Sequence, residues 1–541
     1  MQSKAQWTAV LLTAVSLSGI GASRAETHDP PAALKLVVQG RDGQGARLKQ
    51  TMLLDPARTA VVVIDMWDRH WCATYTARVG NLVPRMNLAL DAARKLGIQV
   101  VFAPSDVVDF YRDTPQRKAM QAIPAQPEPK PTGFDPPRAP GPTDCCECGP
   151  DQPCQVKQKT YSRQHPSLRI APQDLIGDCN NGRELLNLCC ERRIDTLLYM
   201  GVASNLCVQF RGMGIRNMKN HGMRAIVVAD LVEAITSNGV DADGRKDLNF
   251  TPAGGTARVQ AHIEQFVAPT IESRPLIEAA GLGCRAGDRR PHIVFVTAEK
   301  EYQTHKTLPE FARKYLGHGA ALASRQRPSD STGKLPVPGV RCTFLNATAD
   351  EGAGPDNIPG LETLYDADLL VLSARRRALP VVQMDHLERY IRSGKPLVAL
   401  RVSAAAFAPK EAPRGHVIWE RFDRAVLGCN YTGYNPKSRA TGCDVWCVPE
   451  AAGHSVLSGV KPDRWHSASW IYRHRPLGAG TTVLLMGRWS QEDQDEPVAW
   501  TRLHQGARVF YTTLGHADDF HQEPFNQLLL SGIRWTLEST Q

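Results

Sequence analysis

The stretch GVASNLCV, residues 201–208, puts a thiol, Cys207, in a small-residue turn between the apolar run DTLLYM and a long helical pattern. A cysteine that only packs would sit as well inside the strand. A nucleophilic one gains from a strand-to-helix junction, where helix N-terminal amides favour the thiolate. A carboxylate, Asp65, ends the apolar run TAVVVID in the same way. Trp67, His70 and Trp71 follow it, and Asp68, Asp106 and Tyr111 lie close to strand ends. Each of these reads either as the wall of a substrate pocket or as ordinary core and surface.

For these residues to meet, the elements around them must share one sheet. The order from about Leu36 to Ser273 begins with the strand TAVVVIDMW, the helix PRMNLALDAARKLG closed by Gly97, and the strand IQVVFAPSD. The helix RELLNLCCERRI, the strand DTLLYMGV, the helix NLCVQFRGMGIRNMKNHG and the strand AIVVADLVEAI follow. Such alternation implies right-handed crossovers and a mostly parallel sheet covered on both faces. Ligands bind these sheets outside the carboxyl ends of the strands, the edge that Asp65 and the Gly201–Cys207 turn share. Residues 114–158, rich in Pro and Cys and without periodicity, read as an insertion. After a linker over 276–290 the alternation resumes with HIVFVTAE, LPEFARKYL, ADLLVLSA and KPLVALRVSAAAF. An irregular middle, the strands VLLMG and ARVFYTTLGH and a helix through FNQLLLSGIRWTL complete it. The expected organisation is an α/β chain of two domains, 34–275 and 291–541, each doubly wound on a mostly parallel sheet.

A chain of 541 residues is too long for one core. Its net charge of +9 is small for that length and no Lys/Arg block accompanies it, so nucleic acid is not an expected partner. Residues 1–25 carry Lys4, an apolar stretch from Trp7 to Ile20, and Ser23 and Ala25 at the -3 and -1 positions of a cleavage site. This is the pattern of a secretory signal peptide cut after Ala25, leaving no transmembrane span and a secreted or periplasmic protein. Export would put the 14 cysteines in an oxidising compartment. Cys145, Cys146, Cys148 and Cys154 lack zinc-finger spacing, and Cys443 and Cys447 lie close in TGCDVWC; disulfides stapling surface loops are expected.

Over roughly residues 50–275, VVVIDMWDRHWC, APSDVVDFYRD and YMGVASNLCV resemble the isochorismatase-like cysteine hydrolases, which include nicotinamidases and N-carbamoyl amidohydrolases. The resemblance implies a Rossmann-like fold and hydrolysis of a small C–N bond, amide or carbamoyl. Cys207 would attack the carbonyl carbon to give a thioester, and Asp65 would carry its proton to the leaving amine. The N–H groups of Ala203 and Cys207 would cradle the oxyanion, and the family's cis bond would fall at Val202–Ala203. The family's third catalytic residue is a lysine. The matching segment, VKQKTYSRQHPSLRI, offers Lys159 or Arg163, and the register prefers Arg163. An arginine supplies positive charge but no transferable proton. No Asp-x-His pattern surrounds Ser105–Asp106, so no metal and no cofactor are carried over. The substrate would be a small molecule, met by Trp67, His70, Asp106 and Tyr111, and a homo-oligomer stays open.

Over about residues 291–540, GKPLVALRVSAAAF, HSVLSGV, PVAWTR and FYTTLGHADDF resemble the trehalose-utilisation (ThuA-like) family, whose fold is flavodoxin-like and similar to class I glutamine amidotransferases. Where an amidotransferase carries its nucleophile, this chain has Ser403, Ala404 and Ala405. Ser403 has no G-x-S-x-G context and reads as an N-cap, while His305, His516 and His521 are scattered. A binding or accessory module is expected. The alternative to an enzyme is a non-catalytic exported binding protein, carbohydrate-related, built from two enzyme folds that have lost their chemistry.

Overall fold

The computed structural model describes residues 33–138, 160–236, 252–283, 288, 290–317, 339–348, 356–413, 415–490 and 494–538. The expected signal peptide, Lys159, the four cysteines between 145 and 154 and part of the expected linker lie outside them.

The first sheet contains β1 (Leu34–Arg41), β2 (Arg47–Leu54), β3 (Thr59–Ile64), β4 (Gln99–Ala103), β5 (Leu175–Ile176), β6 (Thr196–Val202), β7 (Arg224–Glu233) and β8 (Thr270–Ile271). Their order is β2-β1-β8-β7-β6-β3-β4-β5. From β8 to β5 every neighbour is parallel, and the β1–β2 hairpin is antiparallel at one edge. The apolar run of β3 is buried throughout because both faces are covered. Val61 and Val63 pack with Leu82 and Met86 of α1 (Ala73–Lys95), while Ala60, Val62 and Ile64 face the side covered by α3 (Gly182–Arg192). Helix α2 (Pro115–Gln121) falls inside the expected insertion, and residues 124–138 carry no helix or strand.

The helix expected over 205–222 is two short ones, α4 (Cys207–Phe210) and α5 (Ile215–Asn220). Arg211 between them is extended, with φ -69° and ψ 165°. Gly212 lies so close to the Asn180 carbonyl that a Cβ would overlap it. The helical period continues through the break, but the chain cannot. Helices α6 (Pro252–His262) and α7 (Ser273–Ala279) complete the domain, α7 packing on α1 across the boundary expected at 275.

The second domain has β9 (His292–Ala298), α8 (Thr304–Tyr315), β10 (Arg341–Asn346), β11 (Leu369–Ala374), α9 (Val381–Arg392), β13 (Leu397–Leu400) and α10 (Ser438–Thr441). Then come β16 (Cys443–Cys447), β17 (Arg464–Ser467), β19 (Thr482–Arg488), β20 (Glu496–His504), β21 (Ala507–Thr512) and α11 (Glu523–Leu537). Two short pairs, β12 (Leu379–Pro380) with β14 (His416–Val417) and β15 (Gly433–Tyr434) with β18 (Tyr472–Arg473), stand apart. The main order is β10-β9-β11-β13-β21-β20-β19-β16-β17, parallel as far as β21 and antiparallel beyond. The middle that read as irregular thus holds the last two strands of the sheet, β16 and the edge strand β17. Cys443 and Cys447 occupy the two ends of β16, about 13 Å apart by strand rise, too far for a disulfide to join them. Both are free thiols among the described residues. Among the described residues no helix is long and apolar enough to cross a membrane.

The domains meet where α9 lies against α1 and α6. Two fully buried carboxylates, Glu233 and Asp385, and two arginines, Arg78 and Arg389, form one cluster there. Both arginines reach Glu233. Arg389 Nε is 2.9 Å from Asp385, and Arg78 Nε is 3.6 Å from it. Arg85 to Asp366 and Arg274 to Asp368, each at 2.8 Å, join the domains again. Removing one member of a buried ion cluster strands charge without a partner. Arg78→Met is expected to cost about 3–5 kcal/mol of stability, read by chemical denaturation of the full chain.

Candidate active site

Asp65 leaves the end of β3 with φ 44°, and Asp106 follows β4 with φ 58°. Side chains seldom accept this left-handed region, and such residues concentrate at functional sites. Gly201 explains how β6 brings its turn alongside. It stands opposite Ile64, and a Cβ there would overlap the Ile64 carbonyl. The Val202–Ala203 peptide is cis, at the position expected. The turn is tied to the end of β7: Ser204 N donates to the Glu233 carbonyl at 2.7 Å, and Asn205 exchanges hydrogen bonds with Ile235 at 2.6 and 3.1 Å.

Asp65 is fully buried and accepts from Ser105 N and Ser105 Oγ, one on each oxygen, both at 2.5 Å. The Cys207 thiol beside it favours its charged form. Burial pushes its carboxyl up to about 6, although Ser105, Cys207 and Arg211 all oppose the rise. Burial and then the Asp65 charge push the Cys207 thiol up to about 12, with Arg211 pulling the other way. The expectation that helix amides hold a standing thiolate is therefore corrected. Helix α4 has only four residues, and its partial charge is outweighed by burial and a carboxylate in contact. At neutral pH the resting pair is a thiol beside a carboxylate. Among the described residues, the N–H groups of Ala203 and Cys207 donate to no protein acceptor.

The guanidinium at the sulfur is that of Arg211. Its Nη1 donates to Asn180 Oδ1 at 2.8 Å, its Nη2 donates to Asp106 Oδ2 at 3.1 Å, and its charge acts on the Cys207 thiol. Burial alone would lower its pKa, but the Cys207 sulfur, Asp65 and Asp106 raise it overall. Sequence reading missed it. The available signal was an arginine four residues after the cysteine, one helical turn on. Arg163 is exposed, its guanidinium 5.7 Å from the centre of the Phe110 ring, and its carbonyl accepts from Asp68 N at 3.0 Å. Ser105, the orienter of Asp65, was also missed.

Trp67 stacks on Tyr161 with ring centres 5.1 Å apart, and the Tyr161 hydroxyl is 3.5 Å from Asp106 Oδ2. Burial and the charges of Asp106 and Asp65 raise the Tyr161 pKa. Trp67 and Asp106 therefore border the Cys207 group, joined by a tyrosine the sequence reading did not single out. His70 stands one ring further, 5.8 Å from Trp67, and burial lowers its pKa to about 4, so it is neutral. The Tyr111 hydroxyl accepts from Gln164 N at 2.9 Å, a strut rather than an open contact.

In the second domain the Ser403 hydroxyl is engaged by the carbonyls of Leu372 at 3.1 Å and Leu400 at 2.6 Å. The left-handed residue at the end of β13 is Arg401, φ 54°, its guanidinium 4.0 Å from the centre of the Tyr302 ring. His516 caps the turn that follows it and lies 6.2 Å from Trp470. His305 lies in the first turn of α8, and His521 is exposed.

The Isochorismatase domain family matches residues 59–249, and the ThuA (Trehalose utilisation) family matches residues 343–536. A cysteine hydrolase from Pseudomonas syringae pv. phaseolicola is similar at 16% identity over 42% of this chain and 94% of its own, TM-score 0.28. A ThuA-like protein from Parabacteroides merdae is similar at 14% identity over 47% of this chain and 92% of its own, TM-score 0.32. An isochorismatase from Pseudomonas putida is similar at 15% identity over 40% of this chain and 90% of its own, TM-score 0.26. No curated protein matches the chain. The chain joins an isochorismatase-like domain to a ThuA-like domain, in that order.

Proposed function

We propose that the first domain is a cysteine hydrolase of small amide or carbamoyl C–N bonds, and that the chain is exported through its first 25 residues. The reading rests on one observation above the others: the Asp65 carboxylate, fully buried and aimed by two Ser105 donors, lies near enough to the Cys207 thiol that each moves the other's pKa. A thiol with its pKa near 12 does not ionise unaided, so proton loss accompanies attack. Cys207 Sγ bonds to the carbonyl carbon as its proton passes to Asp65. The oxyanion is received by the Ala203 and Cys207 N–H groups, with the Arg211 charge beside them. Collapse breaks the C–N bond, and the amine leaves with the proton held by Asp65. Water activated by Asp65 then cleaves the thioester. Arg211 keeps its own proton and stabilises charge. The ThuA-like domain serves as a binding or accessory module.

The test is amine or ammonia release from a panel of small amides and N-carbamoyl compounds. Cys207→Ala is expected to abolish turnover with the fold intact, and turnover that survives it would sink the thioester route. Asp65→Asn is expected to lose about 10²–10⁴-fold in kcat. Arg211→Met should lose more than Arg211→Lys, since lysine restores the charge without the fork.

The pH profile carries a sign. The base must be unprotonated, so kcat/KM should rise with pH through an acid limb near 6, the value to which Asp65 is pushed. A limb near the ordinary 4 would mean that burial does not raise Asp65, and an acid limb unchanged in Asp65→Asn would remove Asp65 as the base. N-terminal sequencing of exported protein should begin at Glu26, and a chain still starting at Met1 would refute the cleavage.

A further inference from the structure

Between the two domains lies a cavity of about 60 Å³, room for roughly four to six water molecules. The first domain contributes every carboxylate that lines it, Asp230, Glu264 and Glu272, together with Arg41 and Arg47, while the second contributes Arg389, Arg392 and Lys395. Several of these charges are engaged. Asp230 accepts from Ser273 N at 2.7 Å and Ser273 Oγ at 2.5 Å. Glu264 accepts from Arg41 and Thr270, both at 2.9 Å, and Arg389 holds Asp385 at 2.9 Å.

Glu272 and Lys395 are different. Glu272 accepts no hydrogen bond among the described residues, and burial with the Asp230 charge pushes its carboxyl up to about 7 against the pull of Lys395. Among the described residues Lys395 makes one hydrogen bond, to the Tyr365 carbonyl at 3.2 Å, where an ammonium can make three. The Tyr365 hydroxyl, Arg47 Nε and Nδ1 of His386, which is 7% exposed, find no hydrogen-bond partner among the described residues. Buried polar groups are rarely left unpaired, and each such group is costly.

We propose that this cavity binds a small zwitterion with the chemistry of a short α-amino acid, its ammonium on Glu272 and its carboxylate on Lys395. Tyr365, His386 and Arg47 offer the remaining contacts. A ligand with a single charge would meet Glu272 or Lys395 and leave the other bare. The two ends of the zwitterion touch different domains, so its binding fastens them together. The site is separate from Cys207 and stands or falls independently of the hydrolase reading.

The test uses the full chain carrying Cys207→Ala, titrated calorimetrically with glycine and L-alanine, then with acetate and methylamine. One saturable site for an amino acid is expected, with a raised Tm and at least about tenfold weaker binding of either single-charge probe. Glu272→Gln and Lys395→Gln, checked for cooperative unfolding, should each weaken binding at least about tenfold. A crystal soaked in L-alanine, which needs no variant, should hold it between Glu272 and Lys395. No saturable binding up to about 50 mM, acetate binding as well as glycine, affinity unchanged in both variants, or density elsewhere would each overturn the proposal and leave a cavity that holds water.

Discussion

The Glu233 carboxylate, fully buried at the end of β7, is the contact on which both halves of the molecule lean. Arg78 from its own domain and Arg389 from the other both reach it. Its backbone carbonyl meanwhile accepts from Ser204 N, three residues before Cys207 opens α4. A carboxylate taken from water at this depth survives only with partners on every side. One residue therefore fixes the seam between the domains through its side chain and the nucleophile's turn through its main chain. A displacement of α9 has a direct route to the candidate active site through covalent bonds and one hydrogen bond of 2.7 Å.

The parts of the fold that were legible in the sequence are those with one unambiguous cause. The run TAVVVI can be little other than a strand buried on both sides, and GVASNLCV is short and particular enough to mark its turn. The β1–β2 hairpin left no such trace, because residues 47–53 of β2 are exposed or half-exposed and show no buried stripe. The broken helix after Cys207 could not be read from periodicity, since the break comes from the Asn180 carbonyl lying against Gly212, a contact between distant segments.

At the site, Asp65 and Cys207 were readable from their positions at strand ends, and Arg211 was not. A linear alignment seeks a cation where relatives keep one, in the segment around 159–163. Space allows a guanidinium to arrive from the other direction, on the turn that already bears the thiol. Arg211 also depends on Asn180 and Asp106 to hold its fork, and neither of these is near it in sequence. The raised pKa of the thiol was equally hidden, because it follows from depth of burial and not from residue type.

The hairpin at the start of the first domain has a consequence for the order of synthesis. Arg47, on β2, donates to the carbonyls of Arg392, Ser393 and Gln505 in the second domain. Gln505 is made 458 residues after Arg47, a delay of roughly 20–90 s at about 5–20 residues per second. Arg389 reaches Glu233, and Arg392 and Ser393 become available to Arg47, once α9 and the turn after it are made. The seam is complete only when the β20–β21 turn that carries Gln505 follows.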